Sequence, residues 1–73
     1  MKYMVIIEKG ESGYGAYVPD LPGCVAAGKT VDEVRNLIQE AINVHIEGLI
    51  EDGEPVPEPS SESFFIDVPT VAY

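Results

Sequence analysis

The chain has 73 residues, 45% of them hydrophobic, which is room for one domain and enough apolar surface for a globule rather than a disordered tail. Its 13 acidic residues against 4 basic ones give a formal charge of −9, which argues against direct DNA or RNA binding, because that needs cations to displace condensed counterions. A single cysteine and a single histidine exclude an intrachain disulfide and a structural zinc site.

Lys2 opens the chain and is soon followed by a brief apolar run over residues 4–7. That run is too short for a signal peptide, which needs about 7–15 apolar residues, or for a membrane helix, which needs about 20. A soluble cytoplasmic protein is expected. Residues 2–8 read as a strand, with Tyr3, Val5 and Ile7 on one side and Met4 and Ile6 on the other. Apolar residues on both faces are the pattern of a central strand covered on both sides. Gly10-Glu11-Ser12-Gly13 has the length of a hairpin turn, and residues 14–18 form a second strand.

Pro19-Asp20-Leu21-Pro22-Gly23 stops that strand, since each proline fixes φ and lacks a donor while glycine permits positive φ. Leu21, between turn residues, is expected to tuck inward. Residues 24–27 make a short third strand, ended by Gly28-Lys29. Thr30-Val31-Asp32-Glu33 is a capping box, in which the hydroxyl accepts from the third helical amide and Glu33 reaches back to the amide of the cap residue. The helix is expected over residues 31–51, with Asp52-Gly53 as its stop.

At about 100° per residue, Val31, Val34, Leu37, Ile38, Ala41, Ile42 and Leu49 share an apolar arc that should lie on the sheet. Glu33, Glu40, Glu47 and Glu51 form a separate stripe, and Ile46 and Ile50 lie one turn apart off the main arc. Residues 52–63 make a stiff polar connector with Pro55, Pro57 and Pro59. Phe64, Ile66 and Val68 alternate as in a last strand over residues 64–68, closed by Pro69. The order is β-β-β-α-β, an α+β two-layer sandwich with an antiparallel sheet and one long helix.

His45 falls near the centre of the apolar arc, where a packing role outweighs that of a general base without a placed nucleophile. Cys24 has no predicted partner. The carboxylates do not fall into a two-metal pattern, and no glycine-rich loop ends in the Lys-Ser/Thr of a phosphate cradle. Tyr3, Tyr14 and Tyr17, without a basic groove, read as sheet packing rather than base stacking. No catalytic residue, metal or cofactor is expected. Beside a charge of −9, an acidic stripe with Ile46 and Ile50 next to it reads as a protein-binding face, and the small core makes self-association a natural stabiliser.

In order, Tyr17-Val18-Pro19-Asp20-Leu21-Pro22-Gly23-Cys24-Val25, then Gly28-Lys29-Thr30-Val31-Asp32-Glu33, Gln39-Glu40-Ala41-Ile42 and Gly53-Glu54-Pro55-Val56-Pro57-Glu58-Pro59-Ser60 resemble the amino-terminal domain of HicB-type antitoxins. The resemblance runs over residues 1–68 and implies a partial ribonuclease-H-like fold, with residues 1–73 as a single domain ending in a short tail. It implies a non-enzymatic protein that forms dimers or tetramers. It also implies a partner, a small basic HicA-like toxin that cleaves mRNA with a histidine. Lys29 stands where the family often has an acid. The carboxy-terminal DNA-binding segment common in the family is expected to be absent, and operator binding with it. The residues expected to meet a partner are Glu33, Glu40, Ile46, Glu47, Ile50 and Glu51. The alternatives are an orphan homo-oligomeric binding module and a ribonuclease-H-like hydrolase, the latter disfavoured by its missing carboxylate cluster.

Overall fold

In the computed structural model, which describes residues 1–70, three short strands and one long helix follow each other in chain order. They are β1 (Ile6–Lys9), β2 (Tyr14–Tyr17), β3 (Val25–Gly28) and α1 (Val31–Glu51). The sheet order is β1-β2-β3 and both pairings are antiparallel, with Ile7 opposite Ala16 and Ala16 opposite Ala26. This is the α+β architecture read from the pattern. Residues 71–73, where the expected tail ends, lie outside the described residues.

The strands are shorter than their apolar runs. Ile6 already faces Tyr17, the last residue of β2, so residues 2–5 run on opposite the proline turn and have no ladder there. Pro19 cannot donate to a neighbouring strand, and β2 stops before it. As a result β1 lies at the edge of the sheet and β2 at its centre, contrary to the central place that β1's two apolar faces suggest.

The corner between β2 and β3 closes on its own backbone. Val18 N–H donates to the Cys24 carbonyl at 3.2 Å, Leu21 N–H to Val18 at 3.0 Å, and Cys24 N–H to Leu21 at 3.0 Å. Gly23 takes φ 85°, the conformation the turn required of it. Leu21 turns inward and is fully buried, as expected.

Helix α1 has the expected bounds. Thr30 is extended, and its hydroxyl accepts from the Glu33 amide at 3.1 Å. Glu33 reaches back one residue further than the capping box implied, to the Lys29 amide at 3.3 Å. At the other end Gly53 has φ 69°. Its N–H donates to Ile50, and that of Glu54 donates to Leu49 at 2.9 Å, the paired bonds of a Schellman stop.

The helix packs over β3 and β2, and Val34 and Ile38 sink into a core of Ala16, Val18, Leu21 and Cys24. Each such aliphatic side chain contributes about 1.5–3 kcal/mol by leaving water. Tyr3, Val5, Ile7 and Tyr14 pack at its margin. At roughly 30 Å the helix overhangs four-residue strands by several turns.

The fourth strand does not form within the chain. Residues 64–68 carry no secondary structure and pair with no strand, and Phe64, Phe65, Ile66 and Val68 are strongly exposed. The alternation is present, but the partner that would satisfy its backbone is not supplied by the chain's own sheet.

Candidate functional site

Helix periodicity explains the acidic stripe. Positions seven apart are two turns apart and share a side, so Glu33, Glu40 and Glu47 line up, with Glu51 one turn beyond Glu47. All are exposed. Glu33 differs in being partly spent: its carboxylate accepts the Lys29 amide and its stem lies against Gly28, where an added Cβ would meet Glu33 and Val34 atoms within about 3 Å. Glu40, Glu47 and Glu51 have no such duty.

The apolar neighbours of the stripe are only partly those the pattern suggested. Ile46 is half-buried and packs against the core, so it belongs to the seam under the helix. Ile50 is 63% exposed on the overhanging last turn. Leu37, expected on the sheet, is 38% exposed, and Val44 is 68% exposed. Leu37 and Val44 are themselves seven apart and lie beside the glutamates, so they supply the apolar strip that borders the acidic one. The signal that could have found Val44 is its heptad spacing from Leu37.

The other titratable candidates are not brought together. His45 is half-buried on the helix, whereas Cys24 is buried at the foot of the corner. Burial raises the Cys24 thiol above its ordinary value, which keeps it protonated and a poor nucleophile. Among the described residues, no three His, Cys, Asp or Glu side chains converge as a metal site would require. No described helix is long and apolar enough to cross a membrane.

Two contacts hold the connector against the body. The Tyr3 hydroxyl donates to the Pro57 carbonyl at 2.5 Å. Asp20, in the corner, accepts the Ser60 and Ser61 amides at 3.0 and 3.1 Å on one oxygen and their hydroxyls at 3.1 and 2.7 Å on the other. The Ser61 hydroxyl, then its amide and those of Ser60, stabilise the carboxylate and lower its pKa to about 2.

Opposite the stripe, an open groove of about 540 Å³ runs between β1 and the helix, lined by Val5, Ile7, Val31, Ile38 and Ile42 with Arg35, Asn36 and Gln39 at its lip. It exists because the helix covers β2 and β3 and leaves the inner side of β1 only partly roofed.

Residues 3–71 match the sequence profile of the HicB-like antitoxin of bacterial toxin–antitoxin systems. An uncharacterised 14.9 kDa protein from the rep-hol intergenic region of Haemophilus phage HP1 is 44% identical over 69 residues, covering 94% of this chain and 52% of that protein. Antitoxin HicB 2 of Photorhabdus laumondii is 31% identical over 70 residues, covering 94% of this chain and 50% of that protein. The chain thus spans about half the length of these two relatives. Among solved structures, a chain of the HicA3 and HicB3 toxin-antitoxin complex superposes with a TM-score of 0.71 at 38% identity, covering 82% of this chain and 70% of that one.

Proposed function

The chain belongs to the HicB-like antitoxin family of bacterial toxin–antitoxin systems, and from that premise we propose that it binds and neutralises a small basic HicA-like ribonuclease in the cytoplasm. The observation that carries the reading is the likeness, at 38% identity, to a chain from a toxin–antitoxin complex. The charge of −9 supports it, since a nuclease surface that attracts RNA phosphates attracts carboxylates for the same reason. On this reading the protein acts by occupying a surface and performs no chemistry of its own.

Within that function, the helix face of Glu40, Glu47 and Glu51, with Glu33 at its start and Ile50 on its last turn, meets the partner. Leu37 and Val44 give that face an apolar strip to bury beside its charges. Ile46, packed inward, supports the face from beneath. The double substitution Glu40→Lys and Glu47→Lys reverses the charge at two exposed positions without touching the core. It is expected to weaken toxin binding at least tenfold in calorimetric titration, with helix content retained. Unchanged affinity at low salt would move the site elsewhere. Co-expression with a toxin encoded beside the gene should restore growth. No rescue and no binding would favour the orphan homo-oligomeric module.

A further inference from the structure

No residue of the face proposed for the partner lines the groove between β1 and α1. Its floor and its rim differ in chemistry. Val5, just before β1, Ile7 in β1 and Ile42 on the helix are half-buried, and with buried Ile38 they make an apolar floor. Arg35, Asn36 and Gln39 stand exposed along the rim. The volume of about 540 Å³ falls within the range of about 300–1,000 Å³ that small-molecule sites occupy, and an apolar wall with a few polar groups is how such sites are built.

Charge separates this place from the rest of the chain. None of the 13 acidic residues lines the groove, whereas the only arginine among the 4 basic residues does. Ile7 packs on the helix side of the sheet, so alternation puts exposed Glu8 on the opposite face. Asp32 stands three residues before Arg35 on the helix, exposed and outside the lining. Among the described residues, the Arg35 guanidinium enters none of the side-chain hydrogen bonds.

These features specify both ends of an occupant. One guanidinium balances one negative charge, and its planar fork takes a carboxylate through two parallel hydrogen bonds. The side-chain amides of Asn36 and Gln39 bring further donors to the same rim. The floor offers only aliphatic carbon, against which a hydrocarbon body gains by leaving water. A basic protein surface, by contrast, would set its cations against Arg35 here.

We propose that this groove binds a small amphipathic organic acid, its carboxylate on Arg35 at the rim and its hydrocarbon body against Val5, Ile7 and Ile42. The inference stands apart from toxin binding, and its test contains no toxin.

The probe is decanoate, kept below its micellar concentration and titrated into the full chain while amide signals are followed by NMR. Shifts are expected at residues 5–7 and 35–42, with saturation in the submillimolar range. Decyltrimethylammonium carries the same tail under the opposite head. It should bind roughly tenfold more weakly, although the net charge of −9 favours the cation. Arg35→Gln, at an exposed position, should lower decanoate affinity about tenfold with the helix content by circular dichroism unchanged. Arg35→Lys should restore part of that loss, because the charge returns without the fork. Asp32→Asn should strengthen binding by removing a like charge close to the head. Equal or tighter binding of the cationic probe overturns the proposal, as does wild-type affinity in Arg35→Gln. Failure of Arg35→Lys to improve on Arg35→Gln, or of Asp32→Asn to strengthen binding, removes the carboxylate from Arg35 and overturns it as well. So do shifts confined to other residues or absent altogether, whether the groove is then empty or filled by the chain's own apolar segment or by a second copy.

Discussion

The corner over residues 17–33 and the segment over residues 62–70 are both rich in residues of strong conformational character, yet one is closed and the other open. In the corner, backbone bonds join Val18, Leu21 and Cys24, Gly23 takes the positive φ, and the side chains of Leu21 and Cys24 complete the core. Every residue of the 62–70 segment is exposed. The corner's partners lie within a few positions along the chain, so local chemistry is enough to form it. The segment's pattern is as strong, but a strand is defined by its neighbour, and none among the described residues pairs with it.

The largest test of this contrast is Leu21→Ala. It removes a fully buried side chain from the corner and should cost about 3 kcal/mol in urea unfolding, a large share of the stability of so small a domain. A corner indifferent to that loss would not be the self-closing unit described here. Thr30→Ala is intermediate: it removes the hydroxyl that accepts the Glu33 amide and should cost about 1 kcal/mol in the same measurement.

The smallest effect joins the two regions. Asp20 holds Ser60 and Ser61, and its pKa falls from 3.8 to about 2 in the fold. A carboxyl with a lowered folded pKa stabilises the fold fully above its unfolded value and loses that contribution as pH falls towards the folded one. The connector should therefore release between about pH 4 and pH 2, seen as a rise in amide exchange at Ser60 and Ser61. Asp20→Asn should remove that pH dependence, and its persistence would place the clamp elsewhere.

The helix was legible to the residue because both of its ends are chemical: Thr30 at the start and Asp52-Gly53 at the stop. The hairpin and the corner were legible for the same reason. The strand lengths were not, because β1 can pair only as far as β2 extends, and Pro19 cuts β2 short. The helix's phase was only partly legible. Periodicity groups side chains into faces, but it does not say over which strands the helix will lie. Lying over β2 and β3, it turns Ile46 inward and leaves Leu37 and Val44 outside. The last strand was legible as a pattern and not as a contact, since alternation marks a strand without supplying the neighbour it pairs with, and residues 64–68 pair with nothing among the described residues.

The seven-residue repeat of the glutamates also sets a length scale. Seven residues of helix rise about 10.5 Å, which exceeds the screening length of about 8 Å at physiological ionic strength. Glu33, Glu40 and Glu47 are thus separate charges in the cell rather than one continuous field, each felt by whatever lies directly against it. Long-range attraction of a basic protein would belong to dilute buffers. On the proposed reading, recognition at physiological ionic strength would rest on contact, on the match between the evenly placed carboxylates and cations set directly opposite them.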